Sequence, residues 1–147
     1  MIRKQAIEAV LRVTRLKEQQ AAAVAQRERK KLNDAIVAAN QLDHFADEYR
    51  NDLSTGIGAE RVRPMNLMRI LDFARKLEST AQEQRIASEP LKLRALEAME
   101  TYYTLRLRLD GLEKLERQTR LAWRRAVEAR ETRETEDSIA SRLGRSS

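Results

Sequence analysis

The sequence predicts an all-α protein in which two long helices pair as an antiparallel coiled-coil hairpin. Charged residues make up 35% of the 147 positions and aromatic residues only 4%, which suits narrow apolar seams better than a globular core. Four glycines and two prolines leave few places for turns. Apolar residues also recur at the alternating three- and four-residue spacing of a heptad repeat. We therefore expect a single coiled-coil domain over residues 1–147.

The first helix is expected over about residues 3–53. Apolar or aromatic residues fill nine of ten successive seam positions between Ala21 and Leu53, and Glu28 is the exception. Ile7 and Leu11 extend the stripe less regularly towards the N-terminus. The seam positions are Ala21, Ala25, Glu28, Leu32, Ala35, Ala39, Leu42, Ala46, Tyr49 and Leu53.

A cluster of turn-forming residues predicts the hairpin loop at about residues 54–65. It contains Ser54, Gly56 and Gly58, and Pro64 follows. The two glycines have neither a preceding strand nor the Lys-Ser/Thr pair of a phosphate-binding loop, so we interpret them as a turn.

The second helix is expected over about residues 66–142, with Asn66 as its N-cap. Its seam runs from Leu67 to Ala126 in one phase, with fourteen of eighteen positions apolar, which is typical of a left-handed supercoil. Pro90 removes one helical hydrogen bond. Because the phase continues across Pro90, we favour a continuous, kinked helix, with a short break as the alternative.

A loop centred near residue 59 sets the expected pairing of the helices. Leu42 should then face the region of Leu77, and Leu11 the region of Leu105 to Leu109. The second helix would be unpaired beyond about residue 115. A single unpaired helix gains little stability without packing, so we expect this segment to fray alone and to become ordered on a partner.

Basic residues are concentrated at the end of the hairpin that holds both termini. Residues 1–31 contain nine Lys or Arg and three Glu, and residues 106–130 contain eight basic and four acidic residues. Such a basic end is compatible with binding to nucleic acid, a lipid surface or an acidic protein. It is equally compatible with a charged, solvated face that has no partner. No aromatic residue stands among the first 31 for base stacking, so we do not expect nucleic acid as a partner.

Several classes of function have no support in the composition. The absence of cysteine excludes disulfides, thiolate zinc sites and a cysteine nucleophile. No apolar run approaches the roughly 18 residues of a membrane span, and no cleaved signal is expected, so we predict a soluble cytoplasmic protein. The single His44 stands beside Asp43 and Asp47 on what we interpret as a solvated face. We expect no enzymatic activity, metal or cofactor.

The few aromatic residues form two groups. Phe45, Tyr49 and Phe73 lie near the loop, and Tyr102, Tyr103 and Trp123 lie towards the termini. Tyr49 and Tyr102 occupy seam positions and are expected in the core. Phe45 and Phe73 flank the seam, so partner docking and packing both remain open for them.

Two segments and the C-terminal region carry a resemblance to a known family. Glu48-Tyr49-Arg50-Asn51-Asp52-Leu53 is followed by Gly58, and Phe73-Ala74-Arg75-Lys76-Leu77-Glu78 is followed by Gln82. Arg117-Gln118-Thr119 and the later residues Glu128, Arg130, Asp137, Ala140 and Arg142 continue the pattern. Over almost its whole length the chain resembles the FliJ family, small soluble components of the flagellar type III export apparatus.

The resemblance implies a function in flagellum biogenesis and motility. FliJ-like proteins are two-helix coiled coils similar to the central shaft of rotary ATPases. They sit in the hexameric export ATPase FliI, contact the export gate protein FlhA and help to couple ATP hydrolysis to protein export. They are also implicated in handling export chaperones. The resemblance thus implies a cytoplasmic protein that is peripheral at the inner membrane through the export apparatus.

The resemblance also implies two binding surfaces. The positions that match the gate-binding surface of the family are Leu42, Phe45, Tyr49, Phe73 and Leu77. Rotor shafts enter their ring with the paired termini, and this end is basic here, so an acidic ring lumen is expected. The candidates for contact with the ATPase ring are Arg12, Arg15, Lys17, Arg106, Arg108 and Trp123.

Other functions are also compatible with the sequence. The equivalent stalk of a virulence type III injectisome shares the architecture, and a generic coiled-coil adaptor needs only the helices. A nucleic-acid binder would show an affinity that falls steeply with salt. A self-associating coiled coil would form a stable oligomer at low micromolar concentration.

Overall fold

The computed structural model describes residues 2–54 and 64–145, and every one of these residues is helical. Helix α1 spans Ile2–Ser54 and helix α2 spans Pro64–Arg145. The two helices pack against each other in antiparallel fashion, which confirms the predicted all-α hairpin. The predicted turn at Gly56 and Gly58 lies outside the described residues.

Helix α2 begins two residues before the predicted start. Proline is favoured in the first turn because its ring fixes φ near the helical value and its missing N–H would have no helical partner there. Pro64 therefore opens the helix, and Asn66 lies inside the first turn instead of capping it.

Contacts within the chain group into two compact units. We call Met1–Gln20 with Tyr103–Ser147 the termini unit, and Ala21–Tyr102 the loop unit. Each unit combines a segment of α1 with a segment of α2.

The loop unit has a core of small side chains. Its buried residues recur mainly every seven positions, as a heptad seam requires: Ala21, Ala25, Ala39, Ala46, Ala74, Ala81, Ser88 and Ala95. All eight are predicted seam positions. Small side chains let two helices approach closely, since the interaxial distance depends on the residues at the contact. Tyr49, expected in the core, is 41% exposed.

The termini unit has a core of larger side chains. Its buried residues are Leu11, Thr14 and Leu109. The seam of α2 remains half-buried as far as Thr119, and Val127 is the last of the described residues that is not exposed. Residues 128–145 are helical and exposed throughout, so the overhang begins near residue 128 and not near residue 115.

The register of the helices differs from the one predicted. In the loop unit, Arg50 pairs with Glu78 and Asp43 pairs with Arg85, so Leu42 lies level with the region of residue 85 and not with Leu77. The prediction assumed a symmetric loop about residue 59. Instead, the first turns of α2 extend past the end of α1.

The same correction applies to the termini unit. Arg15 pairs with Glu113, which places Leu11 opposite the region of residue 116 instead of Leu105 to Leu109. The first turns of α1 reach residues 119–126 of α2, where the prediction had no opposing helix.

Helix α2 runs through Pro90 without a break, as favoured from the sequence. Pro90 is exposed, and so is Ile86, whose carbonyl loses its helical donor to the proline ring. Ser88 Oγ donates a hydrogen bond of 2.6 Å to the carbonyl oxygen of Arg85.

Candidate partner-binding surfaces

One flank of the loop unit is held by ion pairs between the helices. Arg50 Nη2 donates to Glu78 Oε2 at 3.0 Å, and Arg85 pairs with Asp43. Arg85 Nη2 also donates to Asn40 Oδ1 at 3.2 Å. These side chains neutralise one another across the seam between residues 40–50 of α1 and 78–85 of α2.

The opposite flank of the loop unit carries aromatic side chains. The rings of Tyr49 and Phe73 meet edge to face, with centroids 5.2 Å apart and planes at 90°. Such pairs contribute about 0.5–1.5 kcal/mol beyond their buried area. Phe45 lies one helical turn before Tyr49 on the same face. Phe45, Tyr49 and Phe73 are 50%, 41% and 46% exposed.

All five residues proposed for gate binding lie in the loop unit. Leu42 and Leu77 are half-buried in the seam, and the three rings lie at its edge. Leu77 is level with Tyr49 and Arg50, whereas Leu42 lies about two turns further along α1. We call the three rings and Leu77 the aromatic surface: Phe45, Tyr49, Phe73 and Leu77.

His44 is exposed to solvent. Its side chain is 71% exposed, and Nε2 lies 3.1 Å from Glu48 Oε1 one turn along the same helix. No third polar group completes a catalytic arrangement there among the described residues. Likewise, no group of three or more acidic or His side chains in the described parts of the chain could hold a metal ion.

The structure divides the basic residues proposed for ring binding into two sets. Arg15 pairs with Glu113 at 3.7 Å, and Arg106 lies 3.9 Å from Glu18 and 3.3 Å from Asp110. These two arginines bridge the helices. The other three side chains are exposed and make no ion pair with the described residues: Arg12, Lys17 and Arg108.

Trp123 lines a groove between the two helices of the termini unit. The groove has a volume of about 630 Å³, and Trp123 is 47% exposed. The other lining residues are Arg3, Lys4, Gln5, Glu8, Thr119, Ala122 and Ala126. Sequence reasoning missed the α1 side of this groove because it ended the pairing near residue 115. The continuous seam phase through Thr119 and Trp123 was the signal for a longer pairing.

Net charge is confined to one unit. The termini unit contains 16 basic and 10 acidic residues, and the loop unit contains 13 of each. The whole net charge of +6 therefore belongs to the termini unit. Two surfaces of different chemistry follow, an aromatic one in the loop unit and a basic one in the termini unit.

These features define a class of protein: a two-helix coiled-coil hairpin with exposed aromatic and basic surfaces. Comparison with protein families matches residues 3–147 to the flagellar FliJ protein family. The chain therefore belongs to the FliJ family and is a flagellar export-associated protein. Searches of curated proteins and of solved structures returned no match. Within its described residues, neither helix has an apolar stretch able to cross a lipid bilayer.

Proposed function

We propose that the chain is a non-enzymatic stalk and adaptor of the flagellar type III export apparatus. In this proposal the termini unit enters the ring of the export ATPase, a FliI-like hexamer, and the loop unit contacts the export gate, a FlhA-like protein. The contacts couple ATP hydrolysis to protein export, and export chaperones are further partners. The protein is then cytoplasmic and reaches the inner membrane only through the apparatus. The half-exposed aromatic surface carries the proposal.

The aromatic surface has the properties of an interface centre. Aromatic residues make up only 4% of the chain. Yet Phe45 and Tyr49 lie one turn apart on α1, Phe73 of α2 packs against Tyr49, and all three are about half exposed. Tyrosine and phenylalanine are enriched at protein interfaces, and tyrosine is frequent among the residues that dominate binding energy. On the opposite flank, the ion pair of Arg50 with Glu78 occupies this level of the described residues.

Replacing Phe73 and Leu77 together by alanine tests the gate contact. We expect binding to a purified export gate protein to weaken by at least tenfold, because truncating central interface residues typically costs more than about 1–2 kcal/mol. Calorimetric titration measures the affinity, and circular dichroism measures the helix content.

A matched variant separates docking from packing. Leu93 and Leu96 are also in the loop unit and are 62% and 55% exposed, on the outer side of α2. The double variant Leu93→Ala/Leu96→Ala should leave gate binding unchanged. If the Phe73→Ala/Leu77→Ala protein binds the gate normally but melts at a lower temperature, the aromatic surface is a packing feature.

The charge and the groove of the termini unit support the contact with the ATPase ring. A net charge of +6 confined to this unit favours an acidic ring surface. Trp123 offers a large, half-exposed apolar surface beside Lys4 in the groove. Replacing Trp123 by alanine should weaken binding to the hexameric ATPase by at least tenfold, since tryptophan is a frequent anchor residue. Leu121→Ala is the matched control, because Leu121 is 50% exposed on the outer side of the same helix.

The alternatives from the sequence make different predictions. The family match is to flagellar proteins, which favours the flagellar apparatus over an injectisome. A nucleic-acid binder would be retained on DNA with an affinity that falls linearly with salt on logarithmic axes. The proposal would be overturned if neither the ATPase nor the gate bound the chain while the chain was retained on DNA.

A further inference from the structure

The termini unit has a second exposed surface that the groove at Trp123 does not include. It consists of two stripes with the spacing i, i+3, i+7, one on each helix, which places three residues of each helix on one face. Val10, Val13 and Leu115 are 48%, 53% and 46% exposed. We call this surface the Lys17 face: Val10, Val13, Lys17, Arg108, Gly111 and Leu115.

The register of the unit brings the two stripes together. Arg15 with Glu113 and Glu18 with Arg106 form ion pairs on one flank of the seam. In that register Lys17 and Arg108 occupy facing positions on the other flank. Val10 and Leu115 face each other two turns away, so the Lys17 face has a basic half and an apolar half.

The basic half is not neutralised within the chain. Neither Lys17 nor Arg108 has an acidic residue three or four positions away on its own helix. Neither makes an ion pair with the described residues, whereas Arg15 on the opposite flank pairs with Glu113. Like charges at facing flank positions of a coiled coil disfavour the pairing. An acidic group from outside the chain would relieve this repulsion.

Gly111 leaves open space in the middle of the face. An added Cβ there would meet no atom within 4 Å. Glycine inside a helix costs about 0.5–1 kcal/mol relative to alanine, and no contact within the described residues compensates for it. Its position between Arg108 and Leu115 lets the backbone of another element approach closely.

We propose that the Lys17 face binds an acidic amphipathic helix of a partner protein, which adds a third helix to the coiled coil. The apolar half receives an apolar residue of that helix, and the basic half receives its carboxylates. Seven residues separate Val10 from Lys17, about 10.5 Å of helix, so the partner places acidic and apolar residues two turns apart. The inference rests on the proposed function only in that the termini unit meets a protein.

Two other occupants fit the surface less well. Nucleic acid would leave Val10, Val13 and Leu115 uncovered, and the face has no aromatic side chain for base stacking. A second copy that presented the same face in parallel would bring Lys17 and Arg108 against their own equivalents, which like charges oppose.

A synthetic helix tests the face without any flagellar component. The probe is a fluorescent 21-residue amphipathic peptide with leucine at heptad seam positions and glutamate two turns away. Its affinity for the full chain is measured by fluorescence anisotropy at low salt. We expect Lys17→Glu/Arg108→Glu to weaken binding by at least tenfold. The double variant Arg12→Glu/Arg117→Glu changes the net charge equally on another side of the unit, and we expect less than a threefold effect.

A site-specific signal locates the peptide. The chain has no cysteine, so a single Gln118→Cys carries an environment-sensitive dye one turn beyond Leu115. The acidic peptide should shift the emission of this dye, and a peptide with lysine in place of glutamate should not. Circular dichroism checks the fold of each variant, and Lys17→Gln/Arg108→Gln replaces the glutamate variant if that protein unfolds.

Three results would overturn the inference. Equal loss in both double variants would mean that only net charge attracts the peptide. Displacement of the peptide by duplex DNA, with the same dependence on Lys17 and Arg108, would identify a phosphate-binding face. A dimer of the wild-type chain that Lys17→Glu/Arg108→Glu dissociates would identify a second copy as the occupant. If the peptide binds as expected but the ATPase ring does not bind the chain, the proposed function fails and the inference stands.

Discussion

The loop unit and the termini unit share one heptad pattern but differ in core and charge. The loop unit is electrically neutral and buries alanines and one serine, whereas the termini unit carries the whole charge of +6 and buries Leu11, Thr14 and Leu109. A heptad repeat specifies which positions face the seam and leaves their size and the flanking charges free. Packing and partner chemistry can therefore vary along one coiled coil.

In both units, one flank of the seam is satisfied internally and the other is not. Arg15 with Glu113 closes one flank of the termini unit, and Arg50 with Glu78 does so in the loop unit. The remaining flank carries rings in the loop unit and like charges in the termini unit. This difference predicts two classes of partner, an apolar one and an acidic one.

Truncation of the large core residue should have the largest effect on stability. Replacing Leu109, which is 3% exposed, by alanine should lower the free energy of unfolding by about 2–5 kcal/mol. Urea unfolding followed by circular dichroism measures it. Leu107→Ala, at a position 72% exposed, should change it by less than about 0.5 kcal/mol. Equal effects at both positions would mean that the termini unit has no leucine core.

Enlarging the small core should have the next largest effect. Ala81 is fully buried in the loop unit, so Ala81→Leu forces the helices apart and should cost about 1–3 kcal/mol. Ala23→Leu, at an exposed position of the same unit, serves as the control in the same unfolding experiment. A more stable Ala81→Leu protein would show that the alanine seam is loosely packed.

Adding a methyl group at Gly111, where no other atom is near, should stabilise the protein. Gly111→Ala meets no atom and reduces the freedom of the unfolded chain, so we expect a gain of about 0.5–1 kcal/mol. Gly144→Ala provides the comparison, and its gain should be smaller because it lies in the last turn of α2, where helices fray. Thermal melting that showed a loss at Gly111 would reveal an intramolecular contact at the Lys17 face.

Removing one positive charge from each unit should have the smallest effects, with opposite signs. Arg85→Gln removes the pair with Asp43 and should cost about 0.2–1 kcal/mol. Lys17→Gln relieves the repulsion from Arg108 and should stabilise by a few tenths of a kcal/mol, the usual size of such surface effects. About 1 M salt should abolish the effect at Lys17, which is exposed, and should reduce the effect at Arg85 less, because its pair with Asp43 is partly buried. If both variants changed the free energy of unfolding in the same direction, the distinction between the two flanks would be wrong.

The gate-binding role of the aromatic surface follows from the resemblance and stays a prediction, whereas periodicity alone predicted where its rings lie relative to the seam. Phe45 and Phe73 flank the predicted seam, and both are about half exposed in the loop unit. Tyr49 was expected in the core from its seam position. Its ring packs edge to face against Phe73, and the residue is 41% exposed. Periodicity assigns a residue to the seam and does not determine how much of its side chain is covered.

For the basic residues proposed for ring binding, the sequence could not predict which of them form ion pairs. Arg15 and Lys17 are two positions apart in the same charged segment, and nothing in their local sequence says which one is paired. The structure pairs Arg15 with Glu113 on the other helix and leaves Lys17 facing Arg108. Which charges meet depends on the offset between the helices.

The sequence by itself determined the two helices and the residues that face their seam, because a 3.5-residue period and scarce turn formers are local properties of the chain. Only the tertiary structure decided the register. The first turns of α2 extend past the end of α1, and this offset moves every facing pair by about nine residues from the expected one. An antiparallel seam of alanines is compatible with several offsets, and the ion pairs of Arg50 with Glu78 and of Arg15 with Glu113 match the one observed. That offset also decided which cations remain available to a partner.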